Sequence, residues 1–108
     1  MEDLANKKCV TYEGGTLPIK GDKINPYLEQ VKYWKVIDEH HIVKRFKFPD
    51  FVKALELVNK VAEIAEKEGH HPNITFTLGK VEIKLYTHTI DGLSENDFIL
   101  ARKIDLIK

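Results

Sequence analysis

Asn73-Ile74-Thr75-Phe76-Thr77-Leu78-Gly79-Lys80-Val81-Glu82-Ile83-Lys84-Leu85-Tyr86 is the stretch from which the fold can be read. Ile74, Phe76 and Leu78 alternate with polar residues, and so do Val81, Ile83 and Leu85. A period of two marks half-buried strands. Gly79-Lys80 suits a two-residue turn with Gly at its first position. Leu78 then pairs with Val81, Phe76 with Ile83 and Ile74 with Leu85, so six apolar side chains share one face. Such a one-sided hairpin needs a cover on its apolar face.

The cover lies just upstream. From about Pro49 to Glu68, Phe51, Leu55, Val58, Ala62 and Ala65 recur at helical spacing, and Ala54 and Val61 widen the stripe. Pro49 and Asp50 suit the first turn and Gly69 the C′ position. Before that helix, Tyr33–Ile37 and Ile42–Phe48 alternate as a first hairpin around the polar Asp38–His40. Asp22 can cap a short helix running to about Val31, with Pro26 in its first turn. Residues 1–21 read as an arm without regular structure. A last helix starts at Ser94, where Ser94-Glu95-Asn96-Asp97 is close to a capping box. The order α-β-β-α-β-β-α predicts an α+β fold of two layers, a four-stranded antiparallel sheet with helices on one face.

With 108 residues, the chain suits one domain spanning 1–108, and self-association would help so small a core. Lys+Arg and Asp+Glu each number 17, so no charge excess points to nucleic acid or an anionic membrane. No apolar run is long enough to span a bilayer, and Met1–Lys8 lacks an apolar signal core. Cys9 is the single cysteine, which fits a reducing cytoplasm, and no activating base lies near it in sequence. A soluble cytoplasmic protein is expected.

The hairpin register makes a prediction about histidines. Extended outward, it sets His71 opposite His88 on the polar face. His70 follows the helix-ending Gly69, at a corner where strand alternation need not hold, and His71-Pro72 restrains the backbone there. His70, His71 and His88 are therefore expected to converge on one side of the hairpin and do acid/base chemistry on a small molecule. Imidazole suits that task, because a pKa of about 6.5 keeps its acidic and basic forms accessible near neutrality. A three-histidine zinc site is the alternative, with Asp97 or Glu66 hydrogen-bonded to the ligating imidazoles. His40 and His41 read as turn residues without a nearby partner. Asp97 is equally well explained by the capping box, Glu66 by solvation and Trp34 by the core.

Ala65-Glu66, His70-His71-Pro72, Thr87-His88 and Gly92-Leu93-Ser94-Glu95-Asn96-Asp97 together resemble the pterin-4a-carbinolamine dehydratase family. The likeness runs over roughly residues 30–105 and takes in Trp34, Phe46, Phe48, Phe51, Ala62, Ala101 and Ile104; Cys9 and Gly14-Gly15 resemble the arm of bacterial members. The resemblance implies dehydration of a 4a-hydroxytetrahydropterin to a quinonoid dihydropterin, without metal or bound cofactor. It implies His70, His71 and His88 as catalytic residues, with Glu66, Pro72, Thr87, Thr89, Ile90 and Asp97 at the substrate. It also implies a homodimer or homotetramer, or, as in animal members, a protein-binding role on a helical face. Ile74, Leu78 and Gly69 stand where many members carry Trp, Tyr and Asp; the last change removes an acidic group beside the site.

Overall fold

The computed structural model describes residues 2–107; Met1 and Lys108, the ends of the expected 1–108 unit, lie outside them. Four antiparallel strands form one sheet in the order β1-β2-β4-β3, with β1 Lys35–Ile37, β2 His41–Lys47, β3 Asn73–Thr77 and β4 Lys80–Leu85. Among the described residues three α-helices accompany it, α1 Asn25–Leu28, α2 Phe51–Glu68 and α3 Glu95–Asp105. Ile42, Val81, Ile83 and Leu85 turn one sheet face toward the helices and are fully buried. Ala54, Leu57, Val61 and Ala65 of α2, with Phe98, Leu100, Ala101 and Ile104 of α3, complete that core. The expected two-layer α+β architecture is present.

The register of the second hairpin differs from expectation by two residues. Thr77 pairs with Lys80, Phe76 with Val81 and Ile74 with Ile83. Leu78-Gly79, not Gly79-Lys80, forms the turn. Gly79 has φ +76 while Leu78 does not have positive φ, so the glycine serves the second central position, as in a type II turn. The start of β4 is also held from its other side. Lys47 pairs with Lys80, and the Phe48 N–H donates to the Gly79 carbonyl at 2.7 Å. A shift of two keeps Ile74, Phe76, Val81, Ile83 and Leu85 on their expected face, because strand parity is unchanged, but Leu78 passes into the turn and is 75% exposed.

Other boundaries moved for local reasons. Tyr33 has φ +65, so β1 begins at Lys35 and Tyr33-Trp34 lie before it. Trp34 is nevertheless buried, as expected. The helix expected to reach Val31 is a 3-10 turn, Gly21–Ile24, running into the short α1. In α2 the Asp50 carboxylate caps the Lys53 N–H and Gly69 ends the helix at φ +67, but Phe51, Leu55 and Ala62 face solvent. The arm carries a 3-10 turn, Leu4–Asn6, and Leu4 is fully buried in the core.

One polar network lies inside this frame. Lys44 lies on the helix-facing side of β2, and its Nζ meets Asp105 Oδ1 at 2.7 Å. Asp105 also accepts from the Trp34 indole (2.9 Å) and the Lys32 N–H (2.8 Å). The Asp105 side chain is 2% exposed and that of Lys44 12%, so the pair is largely desolvated, and both Asp105 oxygens are bonded.

Candidate active site

The second hairpin, the end of α2 and the start of α3 meet at one end of the sheet. Gly69 turns the chain out of α2 and sets His70 and His71 at the corner before β3. After β4 the chain makes an isolated bridge between Thr87 and Gly92, enclosing a 3-10 turn over His88–Ile90. Ser94 caps α3 by accepting from the Asn96 N–H, and Asp97 Oδ2 accepts the Ser94 N–H in return, the expected capping box.

Asp97 does more than cap. It is fully buried, and Oδ1 lies 2.6 Å from His70 Nε2. Oδ2 also accepts the Thr87 hydroxyl at 2.9 Å, and Ser94 Oγ lies 2.6 Å from Thr87 Oγ1. The carboxylate thus receives a ring N–H, a hydroxyl and a backbone N–H. Donation from Nε2 selects one tautomer of His70 and leaves Nδ1 as its basic nitrogen, the device by which buried carboxylates orient catalytic imidazoles.

His71 Nε2 meets Glu66 Oε2 at 2.9 Å. That pair is open to water, with side chains 63% and 81% exposed, and holds its partners weakly. His88 stacks on Tyr86 with ring centroids 4.1 Å apart. The ladder between β3 and β4 stops at Asn73 opposite Lys84, and its extension would set His71 opposite Tyr86. The expected His71–His88 cross-strand pair is therefore absent; His88 sits on the 3-10 turn instead.

The three histidines nevertheless line one open cleft of about 460 Å³ with Thr87 and Thr89. Asp97 lies behind His70, Glu66 beside His71 and Ile90 in the buried floor of the His88 turn. Glu66, Pro72, Ile90 and Asp97 do not line the cleft itself. Among the described residues no three His, Cys, Asp or Glu side chains are grouped to hold a metal ion.

Two groups of residues were missed in the sequence. His40 has partners: its ring packs 4.7 Å from Tyr86, and its Nε2 meets Asp91 Oδ1 at 2.8 Å. The sheet order causes this, since Ile42 opposite Leu85 carries the His40 turn toward Tyr86. Burial, with Lys84 and His40 nearby, holds His41 below the ordinary imidazole value. The second group is the arm. Cys9, Val10, Thr11 and Tyr12 form the wall facing the histidines, with Glu68 and Asn96. Burial pushes the Cys9 thiol up to about 12, which keeps it a neutral wall residue. Burial and the Glu95 carboxylate likewise push the Tyr12 phenol up. Only Cys9 and Gly14-Gly15 hinted at this arm, and only through resemblance.

Fold and cleft define a small α+β protein whose sheet end carries a carboxylate-oriented histidine among two others. The chain belongs to the pterin 4 alpha carbinolamine dehydratase family, which it matches over residues 17–107. It is 47% identical to a Rubrobacter xylanophilus protein provisionally named pterin-4-alpha-carbinolamine dehydratase, over 97% of this chain and 98% of that one. An Alkaliphilus metalliredigens protein of the same provisional name is 49% identical, over 97% and 96%. A Brucella melitensis structure, titled a transcriptional coactivator/pterin dehydratase, superposes with TM-score 0.75 at 32% identity, covering 81% of this chain and 94% of that one. A pterin dehydratase-like RuBisCO assembly factor of the alpha-carboxysome superposes with TM-score 0.59 at 27% identity, covering 70% and 89%.

Proposed function

We propose that the chain dehydrates a 4a-hydroxytetrahydropterin to the quinonoid dihydropterin, as part of tetrahydrobiopterin recycling. The observation that carries this reading is the buried Asp97–His70 pair opening onto a cleft shared with His71 and His88. The reaction removes a ring proton and expels the 4a-hydroxyl as water. In this reading His70, oriented by Asp97, and His88 form the acid/base pair, and His71 orients the ring. In this reading Thr87, Thr89, Pro72 and Ile90 contribute to substrate binding, and Glu66 and Asp97 act through their histidines. Acid/base steps of this kind are each worth about 10²–10⁴ in rate. Replacing His70 or His88 by Gln is expected to lower dehydration by that order in a stopped-flow carbinolamine assay. Full activity in His88→Gln would sink the scheme.

The proposal extends to the whole molecule. Residues 1–108 act as one domain, supported by Leu4 of the arm entering the common core. The place of action is the cytoplasm, in keeping with a lone thiol; no helix among the described residues is long and apolar enough to cross a membrane. The working form is a homodimer or homotetramer. Phe51, Val52 and Leu55 support it, being 50%, 62% and 38% exposed near the start of α2. The same helical face favours a second reading, a protein-binding role, in which the histidines would be dispensable.

A further inference from the structure

Two of the side chains that tie the arm to the cleft, Asn96 and Glu68, lie one residue from Asp97 and two residues from His70. At the start of α3, Asn96 is 3% exposed, and both halves of its amide are engaged by one arm residue. Its Nδ2 donates to the Val10 carbonyl at 2.6 Å, and its Oδ1 accepts the Val10 N–H at 3.0 Å. The side chain thereby pairs with Val10 as a neighbouring strand would. At the end of α2, Glu68 Oε1 accepts the Cys9 N–H at 2.9 Å, while Oε2 meets Lys103 Nζ at 2.6 Å. Asn96 adjoins Asp97 and Glu68 lies two residues before His70. The two elements that aim the His70–Asp97 pair therefore also hold the opposite wall.

We propose that Asn96 and Glu68 are positioning residues, which fix Cys9–Tyr12 as the second wall of the cleft and so set its affinity for a bicyclic, uncharged heterocycle. The proposal rests on the pterin reading above for the identity of that ligand. Neither anchor is arranged to hold the ligand itself. The Asn96 amide is engaged at both ends, and the Glu68 carboxylate is matched by Lys103, which leaves the wall without net charge. Cys9 adds no charge, since its thiol stays protonated and its Sγ rests 3.6 Å from the Asn96 carbonyl. Val10, 60% exposed, and Thr11 are the exposed residues of this wall, and both line the cleft. With the anchors cut, the arm swings away and the ligand loses one side of its enclosure. The histidines and Asp97 keep their bonds, so turnover of bound substrate changes far less.

The test compares wild type, Asn96→Ala, Asn96→Asp and Glu68→Gln by two readouts. One is kcat and KM for 4a-hydroxytetrahydrobiopterin dehydration; the other is amide hydrogen exchange at Cys9 and Val10. Losing two hydrogen bonds predicts KM raised roughly tenfold in Asn96→Ala, with kcat within about twofold. The Val10 amide should exchange at least about tenfold faster. Asn96→Asp keeps the acceptor for the Val10 N–H and should lie between. Glu68→Gln keeps an acceptor for Cys9 but loses the Lys103 charge, and should show a smaller shift of the same kind. Faster exchange with unchanged KM would overturn the wall, and unchanged exchange would overturn the anchors. A fall in kcat at constant KM would overturn the positioning role. A wild-type chain without turnover would overturn the pterin reading alone, and exchange would still decide the anchoring.

Discussion

At the scale of single residues, carboxylates set the chemistry of their neighbours. Asp97 illustrates how far one residue could be read. Its spacing from Ser94 announced the capping box, and the box is there. Its bond to His70 joins residues 27 apart, and no local pattern encodes that contact. Asp105 was not singled out at all, because its partners Lys32, Trp34 and Lys44 lie more than 60 residues away. Its removal is expected to be severe. Asp105→Ala strands the Lys44 ammonium in a desolvated site, and breaking such a pair from one side costs about 3–5 kcal/mol. Urea unfolding of this variant checks the value. Replacing Lys44 and Asp105 together by Met and Leu should recover much of the loss.

At the scale of elements, the amphipathic pattern was a sound guide to existence and a poorer one to facing. The helix over 51–68 was legible because its caps and periodicity agree. Its buried side was misjudged because two apolar stripes overlap on it. Ala54, Leu57, Val61 and Ala65 face the sheet, while Phe51, Leu55 and Ala62 face out. Small alanines on the buried side carry little hydrophobic signal, and the bulky exposed residues carry much. The hairpin register was missed by two because a glycine serves either central position of a tight turn, and only pairing with β2 decides between them.

The arm is the element whose stability should respond to pH. Burial pulls the Glu68 carboxyl upward, but the Lys103 ammonium and the Cys9 N–H outweigh it, leaving the group below its ordinary value. A carboxyl depressed in the folded state contributes stability that is present above the unfolded pKa of about 4.3 and lost as pH falls through the folded value. Acidification from pH 5 toward 3 should therefore lower the protection factor of the Cys9 amide, its exchange measured against the intrinsic rate at each pH, and Glu68→Gln should flatten that dependence. A steeper acid response in Glu68→Gln would contradict this account. Gly92 offers a second handle on the arm. A Cβ there would meet Pro18 at 2.7 and 2.8 Å, so Gly92→Ala should push the arm outward and cost about 1–3 kcal/mol in urea unfolding.

At the scale of the whole molecule, the stripe of α2 formed by Phe51, Val52 and Leu55 stays partly open to solvent, although the Phe51 ring stacks on Phe76 at 4.6 Å. The proposed self-association predicts a mass of two or four protomers by light scattering. Val52→Asp with Leu55→Asp should shift it to a smaller species, while the histidine cleft at the other end of the helix keeps its geometry. A monomeric wild type would remove self-association from the proposal and favour another partner for that face. Composition foresaw only that so short a chain gains from such burial.

The long reach of the arm also has a consequence for biosynthesis. Cys9 and Val10 bond to residues 59 and 86 positions further along the chain. Translation at about 5–20 residues per second separates Val10 from Asn96 by roughly 4–17 s. Over that interval a nascent chain holds Leu4 without its core, and later its first histidines without their second wall. The pocket is closed only when the third helix leaves the ribosome, so a prematurely terminated chain would carry His70, His71 and His88 yet enclose no ligand.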